Sequence, residues 1–344
     1  MKAAYMSKFG GPEVFKVGEF HKPYPQAGEV LVRITACGLN YYDTLVRQGA
    51  VSKEIPLPHI PGSDVVGYVE QVGDHNSCFS VGDSVIVAPG FPVEDKEQDY
   101  KPENYAHSYY PGGTFTHGGY AQYMVIHERW LVSNNTELSD HELATLPLVL
   151  VTAMHTTKIL GQASPGKKVL VHAGASGSGS MAIQVAKACG AEVITTVSSQ
   201  SKAALAQKLG ADEVIYYQED DFVEVSKEWS NNEGVDLIID NLGGDVFQKN
   251  LDALRWGGTL VNFGLLAGME ASIPNVYSFF RGQYQVLGSF MGTLDELQEG
   301  LEWVRLGKIK PVLDDVLSLD HVAEAHARID HRQVAGNLVL DPWA

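Results

Sequence analysis

Apolar and polar positions alternate in the first part of the chain. Val30 to Ala36 (VLVRITA) alternates and is β-branched, and Val65–Val72 and Ser84–Ala88 read the same way. These runs sit between turn signals such as Gly73-Asp74 and Gly82-Asp83 and predict short strands of a small, barrel-like domain. From about residue 140 the pattern changes. Ser139–Ile159 predicts a helix. Strand Lys168–His172, helix Ser180–Ala188, strand Glu192–Val197, helix Ser201–Leu209 and strand Glu213–Tyr217 follow. A helix around Phe222–Trp229, strand Val235–Asp240, helix Asp245–Leu254 and strand Thr259–Phe263 complete the series. Short apolar strands separated by helices predict βαβ units on a parallel sheet. The tail holds a helix, Leu294–Leu306, and a strand, Asn337–Leu340. It is too small for its own core and is expected to return to the first domain.

Between these regions, Pro89–His117 shows no period. It carries Glu94, Asp95, Glu97, Asp99 and Glu103 among Tyr100, Tyr105, Tyr109, Tyr110 and Phe115. The acids suit a solvated loop; the aromatics suit packing against something else. The whole chain has 344 residues, which favours two domains. Its 25 basic and 42 acidic residues give a net charge of −17. That charge weighs against nucleic acid or an anionic membrane as partner. Three dispersed cysteines, Cys37, Cys78 and Cys189, make no disulfide framework and no four-cysteine zinc site. No signal peptide or long apolar span is visible, so a cytoplasmic protein is expected.

One segment carries chemistry. Strand Lys168–His172 runs into Ala173-Gly-Ala-Ser-Gly-Ser-Gly179 and then an apolar helix. A turn without Cβ atoms lets backbone N–H groups approach a pyrophosphate, and the helix dipole stabilises the anion. Two competing motifs fail. Gly161–Lys167 imitates a phosphate loop, but Lys168 stands where Ser or Thr is needed, and the segment precedes its strand. The serines at 176 and 178 do not form a hydrolase nucleophile elbow. At the end of the second strand, an acidic residue would grip the ribose diol of NAD. Here Ser198 stands instead, with Lys202 four residues on. A small hydroxyl and a nearby ammonium favour the 2′-phosphate of NADP.

With these residues in view, the chain resembles the medium-chain dehydrogenase/reductase superfamily, in its zinc-free quinone-oxidoreductase branch. Five segments agree in order: Ala36–Gly49, which is similar to GxNxxDxxxRxG; Pro61–Gly67, similar to PGxDxxG; His117–Tyr123; Val171–Gly179; and Ala335–Leu340. The resemblance implies an α/β protein with a Rossmann doubly wound parallel sheet and a GroES-like β-barrel catalytic domain. The expected division is 1–128 with 297–344 for the catalytic domain and 129–296 for the cofactor domain, with the cofactor in the cleft. It further implies that Thr152 lies near the cofactor and that Gly177, Ser178 and Gly179 touch the pyrophosphate. Lys202, Tyr217 and Arg332 would hold the 2′-phosphate beside Ser198. Asn241, Phe263, Gly264 and Leu265 would line the adenosine and nicotinamide side, and Asn40 the substrate pocket.

The chain departs from the zinc members of the superfamily. Cys37 survives, but Gly62 is followed by Ser63-Asp64, and Leu148–Ala153 offers no further ligand. A lone cysteine does not hold zinc tetrahedrally, although His59 and Asp64 keep the question open. His321, His326 and His331 recur every five residues, which spreads them around a helix and predicts surface positions. Without a metal, donors must meet the negative charge that develops on the acceptor oxygen. Asn40 and the hydroxyls of Tyr41 or Tyr42 are the candidates, with core packing the alternative for each tyrosine. The expected function is NADPH-dependent reduction of quinones or α,β-unsaturated carbonyls. A zinc-dependent alcohol dehydrogenase and a non-catalytic NADPH binder are the rivals. Finally, Tyr284–Phe290 reads as a further strand at the sheet's end, with neither charge nor proline to blunt it. A homodimer joined through this edge is expected.

Overall fold

A computed structural model describes residues 1–75, 77–273 and 275–344. The chain divides into two compact units: residues 1–148, 293–301 and 311–344, and residues 149–292 with 302–310.

The first unit is built on the eleven-residue strand Glu29–Leu39. It pairs antiparallel with Asp64–Val72, Tyr123–His127 and Asn337–Asp341. Ser84–Val87 and Leu131–Ser133 extend the sheet on one side and Leu313–Ser318 on the other. This is the GroES-like domain, and the closing strand of the chain lies beside one of its first strands. Alternation explains the packing. Val30, Val32 and Ile34 point into the core with Val65, Val85, Leu338 and Leu340. The acidic, aromatic stretch 89–117 is not a featureless loop: Gly90–Pro92 and Tyr109–Pro111 pair antiparallel within it.

The second unit is a six-stranded parallel sheet. Its order is 213–216, 192–197, 168–171, 235–240, 254–262, 285–288. This is the order of the doubly wound dinucleotide fold, with the sequence reversing direction beside the first strand. Its core joins Leu170, Ile194, Ile215, Ile238 and Leu260, which form the near-continuous apolar runs of strands covered on both faces. The last strand, Gln285–Gly288, lies at the sheet's end, as its position in the sequence predicts. Val286 packs onto the core rather than outward. The predicted helix Ser139–Ile159 is interrupted: Asp140–Leu143 and Pro147–Ala153 are α-helical, and Met154–Leu160 is π-helical. Pro147 supplies no N–H for a continuing ladder, which accounts for the first break. Among the described residues, no helix is long and apolar enough to cross a membrane.

Candidate functional site

The glycine turn is organised by a polar cluster beneath it. Ala173 has a φ of 53°, a left-handed value that costs a residue with a Cβ roughly 1–2 kcal/mol. Two consecutive turn N–H groups are drawn to one neighbour: Ala173 N–H donates to Thr196 Oγ1 (3.0 Å) and Gly174 N–H to the Thr196 carbonyl (3.0 Å). The Ala173 carbonyl accepts from Ser176 N–H (2.9 Å) and Oγ (2.8 Å). Ser176 then caps helix Gly177–Ala188 by accepting from Gly179 N–H. Gly179 is required by close approach, since a Cβ there would run into the Ala173 carbonyl oxygen. The result is a helix N-terminus, with Gly177 and Ser178 in its first turn, held against the end of its strand.

The parallel register brings other predicted residues to the same carboxyl edge of the sheet. Ser198 follows strand Glu192–Val197 and Tyr217 follows Glu213–Tyr216, and Val197 is paired with Tyr216. Lys202 lies in the first turn of helix Gln200–Lys208, its N–H bonded to Ser199 Oγ. Asn241 follows Val235–Asp240, and its amide reaches Ser176 Oγ and Ser178 Oγ, each at 3.4 Å. Gly264 packs on the Asn241 backbone so closely that a Cβ would collide with its carbonyl. Phe263, Gly264 and Leu265 line a cavity of about 350 Å³ with Phe247, Asn262 and Ser289. Ser289 is a lining residue that sequence reasoning missed.

Two buried atoms in this unit test whether a nicotinamide dinucleotide fits. Thr152 Oγ1 and Asn241 Oδ1 have no hydrogen-bond partner among the described residues, and each residue is only 4% exposed. Buried polar groups are rarely left unpaired in the absence of a ligand or water. With the glycine turn and the helix N-terminus, these atoms suit such a cofactor.

The first unit holds a second polar cluster, around Asn40. Asn40 precedes helix Tyr41–Gln48 and is buried. Its N–H donates to Asp43 Oδ2 (2.8 Å), and its side-chain amide donates to Asp64 Oδ2 (2.9 Å) with Ser63 Oγ at 3.5 Å. Asp64 Oδ1 accepts from Leu148 N–H (2.8 Å), so both of its oxygens are engaged. Asp43 also accepts from Tyr120 Oη (3.1 Å), which contacts His326 Nε2 at 3.2 Å. Burial raises the Asp43 carboxyl to about 7 against the Asn40 and Tyr120 hydrogen bonds. Burial also raises Asp64, to about 8, with the charge of Asp43 adding to the effect. Cys37 lies in the same region, fully buried. A Cβ on Gly62 or Gly119 would stand 2.9 or 2.7 Å from its sulfur. Burial first, then the charges of Asp43 and Asp64, pushes its thiol well above the usual range.

The remaining predicted residues are dispersed. Tyr41 is exposed at the start of its helix. Tyr42 packs against the small cluster of Met6, Val14, Val46 and Ile55, and burial raises its phenol to about 12. Arg332 belongs to the first unit, after helix Val322–Asp330, with φ 57°. His326 corrects the expectation of a surface residue: it is fully buried, its ring tilted at 50° against Phe15 with centroids 4.6 Å apart. Spacing alone missed this because His326 lies on the helix face that carries Val322 and Ala325 inward.

Two family models match the chain, an alcohol dehydrogenase GroES-like domain over residues 26–136 and a zinc-binding dehydrogenase over residues 177–305. The human quinone oxidoreductase is 29% identical, over 99% of this chain and 97% of that one. A 2-haloacrylate reductase from a Burkholderia species is 32% identical over 99% of each chain. Among solved structures, an NAD-dependent alcohol dehydrogenase aligns with a TM-score of 0.94, at 36% identity over 99% of each chain. A mycobacterial protein complexed with NADPH aligns with a TM-score of 0.83, at 27% identity over 99% of this chain and 100% of that one. A full-length relative above 30% identity, a Rossmann sheet and a GroES-like domain agree: this chain belongs to the medium-chain dehydrogenase/reductase superfamily, in its quinone oxidoreductase-like branch, and is an oxidoreductase.

Proposed function

We propose that the chain is an NADPH-dependent reductase that delivers hydride to quinones or α,β-unsaturated carbonyls without a metal ion. The observation that carries this reading is the amide network on Asn40. In the segments where zinc members carry their ligands, Asp64 spends both oxygens on Asn40 and Leu148, and the Cys37 side chain is fully enclosed. Zinc is held by three or four convergent donors. Among the described residues, no group of three His, Cys, Asp or Glu side chains converges in this way. This arrangement supports a reaction without zinc.

When bound, a nicotinamide cofactor supplies the hydride. Thr152 and Asn241 have atoms free to hold it, and Ser198, Lys202 and Tyr217 suit its 2′-phosphate. The mycobacterial relative solved with NADPH supports the same choice. Asn40 does the work at the acceptor. One amide hydrogen is fixed on Asp64 at 2.9 Å, and the other faces Ser63 at a loose 3.5 Å. The loosely held hydrogen is the one available to the oxygen charge that develops as hydride arrives. Quinones and enones already accept hydride readily, so positioning and one such donor suffice. The experiment is NADPH oxidation with a panel of quinones, enones and aldehydes, repeated after chelation. Turnover of quinones or enones that survives chelation is expected; loss on chelation with recovery on adding zinc overturns the reading. That outcome would favour the second reading, an alcohol dehydrogenase, which the 36% identity to an NAD-dependent member supports.

We further propose that the substrate is a small molecule and that the chain forms a homodimer through strand Gln285–Gly288. Exposed Trp256, on the neighbouring strand Leu254–Asn262, and Tyr277 and Phe280, on helix Val276–Gly282 just before the edge strand in the chain, are between 59% and 63% accessible and support the reading.

A further inference from the structure

We propose that Thr196 is a positioning residue for the cofactor's pyrophosphate, oriented by His172 and Asn250 to hold the left-handed turn at Ala173. The inference rests on the cofactor reading above and deepens it. His172 follows the strand that feeds the turn, and it is fully enclosed. Its Nε2 lies 2.7 Å from Asn250 Oδ1 and its Nδ1 3.3 Å from Thr196 Oγ1. Its ring meets Phe222 edge to face at 4.9 Å. Burial lowers its pKa, opposed by Asp240 and by the Asn250 hydrogen bond. The neutral ring has one donor and one acceptor. Asn250 Oδ1 can only accept, so Nε2 carries the hydrogen and Nδ1 accepts the Thr196 hydroxyl hydrogen. The Thr196 oxygen then turns its lone pairs to Ala173 N–H. Each member of the chain fixes the polarity of the next.

The geometry connects this chain to anion binding. Ala173 is the one left-handed residue in the turn that has a Cβ. Its carbonyl is the surface on which Gly179 and Ser176 seat the helix N-terminus. Without its N–H partner, Ala173 relaxes toward ordinary φ, and the first helical turn, with Gly177 and Ser178, loses the seat that would present it to a pyrophosphate. Pyrophosphate is common to NADPH and NADH. The predicted defect is therefore blind to the 2′-phosphate.

Thr196→Val keeps the side-chain shape and removes the acceptor. Dissociation constants for NADPH and NADH should be measured by fluorescence titration of the full chain, alongside kcat at saturating cofactor and the melting temperature. Both constants should rise by the same factor, roughly five- to tenfold, the worth of one net hydrogen bond, with kcat little changed. Thr196→Ser should retain parental affinity. His172→Leu should weaken both cofactors in the same direction. Adding Ala173→Gly to Thr196→Val should restore binding, because glycine adopts this φ without support. Unchanged affinities in Thr196→Val, an equal loss in Thr196→Ser, or a lower melting temperature with intact binding would overturn the proposal. A parent protein that binds neither nucleotide overturns the cofactor reading and this inference with it.

Discussion

Replacing Asp64 by asparagine should change how stability depends on pH. Asp64 is fully buried, and its carboxyl is raised from the usual 3.8 to about 8 by burial and by Asp43, against the hydrogen bonds from Asn40 and Leu148. An unfolded chain releases this proton near pH 4. Between pH 4 and 8 the folded chain therefore holds a proton that the unfolded chain has lost. Stability from this group is fully present below about pH 4 and falls by about 1.4 kcal/mol per pH unit up to the folded value. Over the two units from pH 5 to 7, the loss is about 2–3 kcal/mol. Asparagine cannot titrate. Its oxygen can keep the Leu148 N–H bond, and its amide can donate to the Asn40 oxygen once that amide turns over. The variant should therefore gain on the parent by about 2–3 kcal/mol between pH 5 and 7. Urea unfolding followed by tryptophan fluorescence measures both proteins at each pH. A difference that stays constant, or that shrinks as pH rises, would refute the burial argument.

Further outcomes follow from the cofactor unit and the sheet edge. Lys202→Ala should weaken NADPH by about 1.5–3 kcal/mol and leave NADH nearly unchanged; equal losses in titrations with both would sink the 2′-phosphate assignment. Gly179→Ala forces a Cβ into the Ala173 carbonyl. It should cost about 1–3 kcal/mol in stability and lower affinity for both nucleotides in the same titrations; an unshifted melt with parental binding would contradict the close packing. Gln285→Pro should shift the protein from dimer to monomer in light scattering. A parent that is already monomeric at micromolar concentration refutes the dimer.

The Rossmann half was legible because its signals are local. Strands Glu192–Val197 and Val235–Asp240 and helix Phe222–Trp229 fall where the apolar runs place them. Each is set by a buried run a few residues long and by the turn beside it. The GroES-like half was less legible. Strand Leu313–Ser318 carries Asp314 and Asp315 on exposed positions, and its partner Asn337–Asp341 pairs in turn with Glu29–Leu39 from the other end of the chain. Pairing of that kind is fixed by tertiary contacts that periodicity does not report. The hairpin within 89–117 was hidden for the same reason, since each strand is three residues long.

The chemistry divides along a similar line. A glycine turn announces itself because it needs residues without side chains, so Gly177 and Gly179 are visible in the sequence. The groups that hold such a turn need only the right atom at the right depth. Thr196 looks like one β-branched residue in a strand, and His172 like a stray histidine at a strand end; their hydrogen bonds reach 23 and 78 residues along the chain. Asn40 was legible as a candidate because it stands in a motif. Its partner Asp64 stands in another motif, 24 residues away, and only the antiparallel pairing of Gly38 with Asp64 brings the two together. That pairing also sets Asp64 in the interior, where burial raises its carboxyl to about 8. Asn40 thus acquires its partner, and that partner its raised carboxyl, from one strand alignment, and a shift in that register would remove both.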